Sequence, residues 1–77
     1  MNYKQIYINH FGYDRTDWIG CEYCNKTSVD IHHLVFRSQG GKDTPDNLMA
    51  LCRECHTKAH HSREFNEELI LIHNNNL

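Results

Sequence analysis

Two kinds of chemistry are written into one short stretch of this chain. Cys21-Glu-Tyr-Cys24 and Cys52-Arg-Glu-Cys55 are paired thiol donors. Between them stand Asp30-Ile-His32-His33-Leu34 and Asn47-Leu48, and after them His56 and His60. Thiolates at two-residue spacing bind a metal ion from one tight turn, and two such turns supply the four tetrahedral ligands of a closed zinc site. The imidazoles offer something different. They can hold a second cation and take a proton from water, which together are what hydrolysis of a phosphodiester needs.

Position along regular elements divides the histidines between those jobs. Neighbouring residues on a strand point to opposite faces, so His32 and His33 suit two different roles. Residues four apart on a helix share a face, so His56 and His60 can converge on one ion. The simplest division gives the metal to His32, His56 and His60 and leaves His33 as general base, a role that imidazole suits with its ordinary pKa of ~6.5. A base histidine needs its other ring nitrogen held by an acceptor, and a backbone carbonyl of the long loop after it is expected to serve. Asn47, at the end of that loop, is placed to tie it down through its side-chain amide. Singly, each residue has a plainer explanation: a histidine on a short strand is often packing or surface, and Asn47 follows Pro45-Asp46 as a turn residue would. His10, His61 and His73 are read in that plainer way.

The elements that must position these groups follow from periodicity. Tyr3, Ile6, Tyr7, His10 and Phe11 recur at helical spacing before Gly12, predicting an N-terminal helix. Tyr13 to Gly20 reads as loop, with Trp18 and Ile19 expected to plug the core beside the first knuckle. Val29–Val35 and Leu48–Leu51 read as short strands, and Arg37 to Asp46, with Gly40, Gly41 and Pro45, as a loop. Arg53–His61 suits a helix, and Phe65, Leu69 and Ile72 mark one face of a C-terminal helix whose Asn74-Asn75-Asn76 tail should fray. The fold class expected is α+β: one domain, with residues 1–20 a helix and loop, 21–61 the knuckles and a ββα core, and 62–77 a helix and tail.

Size sets the need for a staple. A chain of 77 residues with 39% apolar content buries too little surface to rest on its core alone. The first eleven residues lack the pattern of a secretory leader, and no run approaches the ~20 apolar residues of a membrane span. A cytosolic setting is therefore expected, in which paired thiols favour zinc over disulfides. The 27 residues between Cys24 and Cys52 exceed a zinc-ribbon separation and suggest a functional insert. A competing partition, with Cys52, Cys55, His56 and His60 on one zinc, leaves Cys21 and Cys24 unused. The net charge of −2 argues against a protein that holds nucleic acid by bulk electrostatics. From Cys24 to Arg63, however, six Lys/Arg stand against four acids.

Residues 21–60 resemble the HNH endonucleases, specifically the zinc-stapled ββα-metal (His-Me finger) type of phage and bacterial nucleases. The resemblance rests on Cys21-x-x-Cys24, Asp30-Ile-His32-His33-Leu34, Arg37, Gly40-Gly41, Asn47-Leu48, Leu51-Cys52-x-x-Cys55-His56 and His60. It implies His33 as the base that activates water and Asn47 as the residue that orders the loop. It implies His32 and His56 as ligands of a catalytic ion, with His60 a further ligand in some branches. Arg37 would meet the scissile phosphate, and Cys21, Cys24, Cys52 and Cys55 would hold structural zinc. The catalytic ion would be Mg2+, Mn2+, Ni2+ or Zn2+, three imidazoles favouring a transition metal. Double-stranded DNA cut with weak sequence specificity is the expected substrate, with Arg37, Lys42, Arg53 and Lys58 as contacts and products bearing 5′-phosphate and 3′-hydroxyl ends. Because the flanks are short and acidic, a protein partner could supply targeting in the bacterial cell or phage-infected host. The alternatives are a non-catalytic zinc module that binds nucleic acid or protein, and a thiol oxidoreductase.

Overall fold

The computed structural model describes residues 2–14 and 16–77. Helix α1 (Tyr3–Phe11) starts where the Asn2 side chain accepts from the backbone N–H of Gln5 and stops at Gly12, whose φ of 76° is left-handed. Strand β1 (Asp30–His33) is shorter than the predicted 29–35 segment. It leads through two 3-10 turns, Arg37–Gln39 and Pro45–Asn47, into β2 (Leu48–Leu51). Helices α2 (Arg53–His61) and α3 (Arg63–Asn76) complete the chain. The domain is α+β, with a ββα unit at its centre. None of its described helices is long and apolar enough to cross a membrane.

β1 and β2 pair antiparallel, with His32 opposite Met49 and His33 opposite Leu48. Every residue of β2 is buried, so both faces of this small sheet are covered. Leu48 and Ala50 pack with Tyr7 of α1, together with Tyr3, Ile6, Phe11, Ile19 and Ile31. Met49 and Leu51 face the other way, onto Cys21, Cys52, Cys55, Ala59, Phe65 and Leu69. The period of two along the strands thus sends His32 toward α2 and α3, and His33 toward α1.

Two expectations change. Trp18 does not plug the core: it is 59% exposed, its indole N–H donating to the Thr27 hydroxyl. Ile19 alone packs inward, because the backbone pairs Ser28 with Ile19 and Gly20 with Thr27. The C-terminal asparagines do not fray. α3 runs through Asn76, whose amide donates to Glu22 of the first knuckle.

Candidate metal centre and active site

Each cysteine pair is delivered by its own local turn. In the first, the Cys21 carbonyl accepts from the Asn25 N–H, and Asn25 takes a left-handed φ of 65°, which asparagine tolerates. In the second, Cys52 caps α2, its sulfur accepting from the Cys55 N–H at 3.4 Å. All four cysteines are free, and their sulfurs lie within 4.8 Å of one another. The Cys24–Cys52 and Cys24–Cys55 separations are 3.6 and 3.8 Å, close to the roughly 3.8 Å edge of a tetrahedron with 2.3 Å zinc–sulfur bonds. Burial raises the Cys55 thiol, and its sulfur neighbours add to the rise. Burial also acts upward on Cys21, but the N–H groups around it win and leave it at about 7. Four sulfurs so close cannot all ionise without a cation among them, so the donor set fits zinc. The partition mixing Cys52 and Cys55 with His56 and His60 is set aside, since the histidines join a different cluster.

That second cluster is His32, His56 and His60, whose ligand atoms also lie within 4.8 Å of one another. His56 Nε2 and His60 Nε2 are 3.0 Å apart, near the ~3.3 Å expected of two imidazoles on one tetrahedral ion. Asp30, on the same face of β1 as His32, accepts from His56 Nδ1 at 2.9 Å and leaves Nε2 to face the cluster. Burial pushes His32 down to about 4 against the opposing bond to Asn66, and the neighbouring His56 and His60 add to the fall. His60 is lowered as well, by burial and then by His56 and His61. Rings that resist protonation present lone pairs, so this donor set suits a transition-metal dication. His56 opens on one side to a groove of about 360 Å³ lined by Tyr3, Lys4, Trp18 and Val29 among others.

His33 stands beside the cluster on the opposite face of β1. Its ring lies edge-on to Tyr3 at 4.9 Å, and its Nε2 is 2.7 Å from Asp43 Oδ1. The acceptor is therefore a loop carboxylate and not the backbone carbonyl expected from the sequence. Asp43 is in turn held by Arg37 at 2.8 Å, and its carboxyl is lowered by that guanidinium first and by His33 second. Asn47 is buried: its Oδ1 accepts from the Val35 N–H at 2.7 Å, and its Nδ2 donates to the carbonyls of Lys42 and Val35. It joins both ends of the loop that carries Asp43.

The basic candidates divide. Arg37 lies over the Tyr3 ring next to Asp43, and Arg53 pairs with Asp30 at 3.4 Å, so both border the histidines. Lys42 is exposed on the loop. Lys58 lies two residues from both His56 and His60, hence on another face of α2, with its ammonium 4.4 Å from the Phe65 ring centroid. Asp30 enters the site from within its sequence motif, where it had no role assigned, and Asp43 and Asn66 enter it without having been singled out at all. The shared strand parity of Asp30 and His32 was a usable signal for the first; a carboxylate in a polar loop and a lone asparagine on α3 gave none.

A two-stranded sheet with a helix crossing it, a sulfur cluster as staple and an imidazole cluster beside a histidine–carboxylate pair define a zinc-stapled ββα-metal domain. The HNH endonuclease family model matches residues 21–62, and the chain belongs to that family. It is similar to the type IV methyl-directed restriction enzyme EcoKMcrA of Escherichia coli K12, at 35% identity over 71% of this chain and 24% of that protein. It is also similar to the probable mobile endonuclease C of Enterobacteria phage T4, at 36% identity over 79% of this chain and 28% of that protein. A shorter match, 52% identical over 29 residues, is to anaredoxin of Nostoc. The chain spans about a quarter of the length of the two nuclease relatives.

Proposed function

We propose that this domain is a metal-dependent endonuclease hydrolysing phosphodiester bonds of double-stranded DNA, with His33 as general base. The observation carrying the reading is the pairing of His33 with Asp43 at the strand position next to His32 of the imidazole cluster, a cluster that shares no residue with the cysteines. A carboxylate can only accept, so the Nε2 of His33 carries the hydrogen and Nδ1 holds a lone pair able to take a proton from water. The imidazolium formed in that transfer is stabilised by Asp43. A divalent ion held by His32, His56 and His60 would supply positive charge to the phosphoryl oxygens and to the departing 3′ oxygen. Arg37, exposed and paired with Asp43, is the basic group proposed to meet a phosphate. Lys42 and Arg53 extend the contact along the backbone, while Lys58 lies on a different helix face and would contribute least.

With few basic groups and a net charge of −2, the domain holds DNA weakly and with little sequence preference, and a partner or a further segment provides targeting. The restriction and mobile-element relatives, from a bacterium and a phage, support action on DNA within the bacterial cell. The structural ion is zinc on Cys21, Cys24, Cys52 and Cys55. The test is nicking of supercoiled plasmid by purified protein with Mg2+, Mn2+, Ni2+ or Zn2+ added in turn. Nicking with 5′-phosphate ends, lost in His33→Ala, is expected. No nicking with any ion, or nicking that survives His33→Ala, overturns the proposal.

A further inference from the structure

Asn66 lies four residues beyond the last position matched by the family model and 34 positions after His32. Its place is set by the junction of α2 and α3. Ser62, the one residue between the helices, caps α3 by accepting from the Phe65 N–H, and its carbonyl accepts from the Asn66 N–H. The second turn of α3 thereby comes to rest against β1. There, Asn66 Nδ2 donates to the Leu34 carbonyl at 2.9 Å, and Asn66 Oδ1 lies 2.7 Å from His32 Nε2.

These two contacts together fix a proton. The Leu34 carbonyl can only accept, so the amide nitrogen of Asn66 must face it and the amide oxygen must face His32. That oxygen also can only accept, so His32 Nε2 must carry its ring hydrogen. A neutral imidazole has one N–H, which leaves Nδ1 of His32 as its only lone pair. At His56 the opposite holds, because Asp30 accepts from Nδ1 and frees Nε2.

We propose that Asn66 is the positioning residue that selects Nδ1 of His32 as a metal-coordinating atom, so that the strand offers Nδ1 and the helix Nε2. The inference rests on the imidazole cluster being a divalent-cation site. An outer-shell partner that fixes a ligand's tautomer is worth roughly 10- to 100-fold in metal affinity.

The experiment uses protein with its cysteine site already filled, labelled with 15N-histidine, and titrated with a further equivalent of Zn2+. Long-range 1H–15N spectra report which nitrogen of each ring is protonated or bound, and calorimetry reports affinity. The expected result is a protonated Nε2 on His32 before Zn2+ and a bound Nδ1 after it. Asn66→Ala should mix the tautomers and weaken Zn2+ binding 10- to 100-fold, while Asn66→Asp, which keeps the acceptor, should restore the Nε2 proton. Zn2+ bound through His32 Nε2, or an Asn66→Ala protein unchanged in tautomer and affinity, overturns the inference and leaves the metal site standing. Should Zn2+ move none of the three histidine resonances, the metal site itself falls and the inference with it. If Asn66→Ala does not fold, the spectra of the parent protein and of Asn66→Asp decide the matter.

Discussion

In the proposed mechanism His33 and Asp43 divide the work of a base between them, one ring nitrogen left for the proton and the other held at 2.7 Å. General-base catalysis by a positioned side chain contributes about 10²- to 10⁴-fold, so His33→Ala should cut plasmid nicking by about that much. Circular dichroism should stay unchanged, because His33 sits on the rim of the core and not inside it. Asp43→Ala leaves the base but frees its ring, and a loss of roughly 10- to 100-fold is expected by analogy with other orienting partners. If Asp43→Ala nicked as fast as the parent, the carboxylate would have no part in the chemistry. Arg37 binds the other oxygen of Asp43 and favours its ionised form, so Arg37 bears on His33 through that carboxylate.

At the scale of elements, the loop from Phe36 to Asn47 is a small machine for presenting Asp43. Gly40 supplies a φ of 85° that closes the first 3-10 turn. Gly41 then passes so close to β1's continuation that a Cβ there would run into the Val35 carbonyl oxygen. No side-chain rotation relieves a clash with backbone. Gly41→Ala should therefore cost about 1–3 kcal/mol and depress nicking together with the melting temperature. Asn47 fastens the far end with one accepted and two donated bonds to the Val35 and Lys42 backbone. Asn47→Ala strands the Val35 N–H and should lower stability by about 1–3 kcal/mol, measured by denaturant unfolding of zinc-loaded protein. A melting curve that matched the parent would mean the loop is held by other contacts.

The whole molecule is stapled twice. The first staple is the cysteine cluster, which closes the chain from residue 21 to residue 55 around the sheet. Stripping the metal with a chelator, or Cys24→Ser, should unfold the domain and not merely inactivate it. An unaltered far-ultraviolet spectrum after chelation would refute this. The second staple is polar and was hidden in the sequence. His73, fully buried, donates from Nδ1 to Glu22 and from Nε2 to the Pro45 carbonyl, each at 2.7 Å. Both partners can only accept, so the ring is an imidazolium. Tyr7 and Asn76 also donate to Glu22, and the Ala50 N–H with them, so α1, the first knuckle, β2 and α3 meet on one carboxylate.

Burial opposes the charge on His73, but Glu22 and the Pro45 carbonyl raise its pKa above 6.5. Burial likewise opposes ionisation of Glu22, yet its donors His73, Tyr7 and Asn76 bring it below 4.5. A raised base contributes stability below its unfolded pKa and loses it as pH rises through the folded value; a lowered acid does the reverse. The pair is therefore at full strength between about pH 4.5 and 6.5 and weakens above that window. His73→Ala should cost about 3–5 kcal/mol at pH 6. The stability gap between the parent and His73→Gln should narrow as pH climbs from 6 toward 9. A gap independent of pH would mean the buried ring is neutral.

Much of this protein was legible in its residues. Spacing alone separated sulfur from nitrogen donors, and period placed α1, β2 and α2 at the bounds observed. Local signals succeed there because caps, knuckles and strand parity depend on residues within a few positions of one another. What only the tertiary structure decided is which distant polar group completes each histidine: Asp43 for His33, Asp30 for His56, Asn66 for His32 and Glu22 for His73. Those pairings span from 10 to 51 positions, and a carboxylate or amide that will lie against a ring has the same identity as one that faces water. The exposure of Trp18 has the same origin. Composition assigns a tryptophan to the interior, but the bridge between Gly20 and Thr27 turns its ring outward, and backbone pairing is settled only when the chain closes on itself.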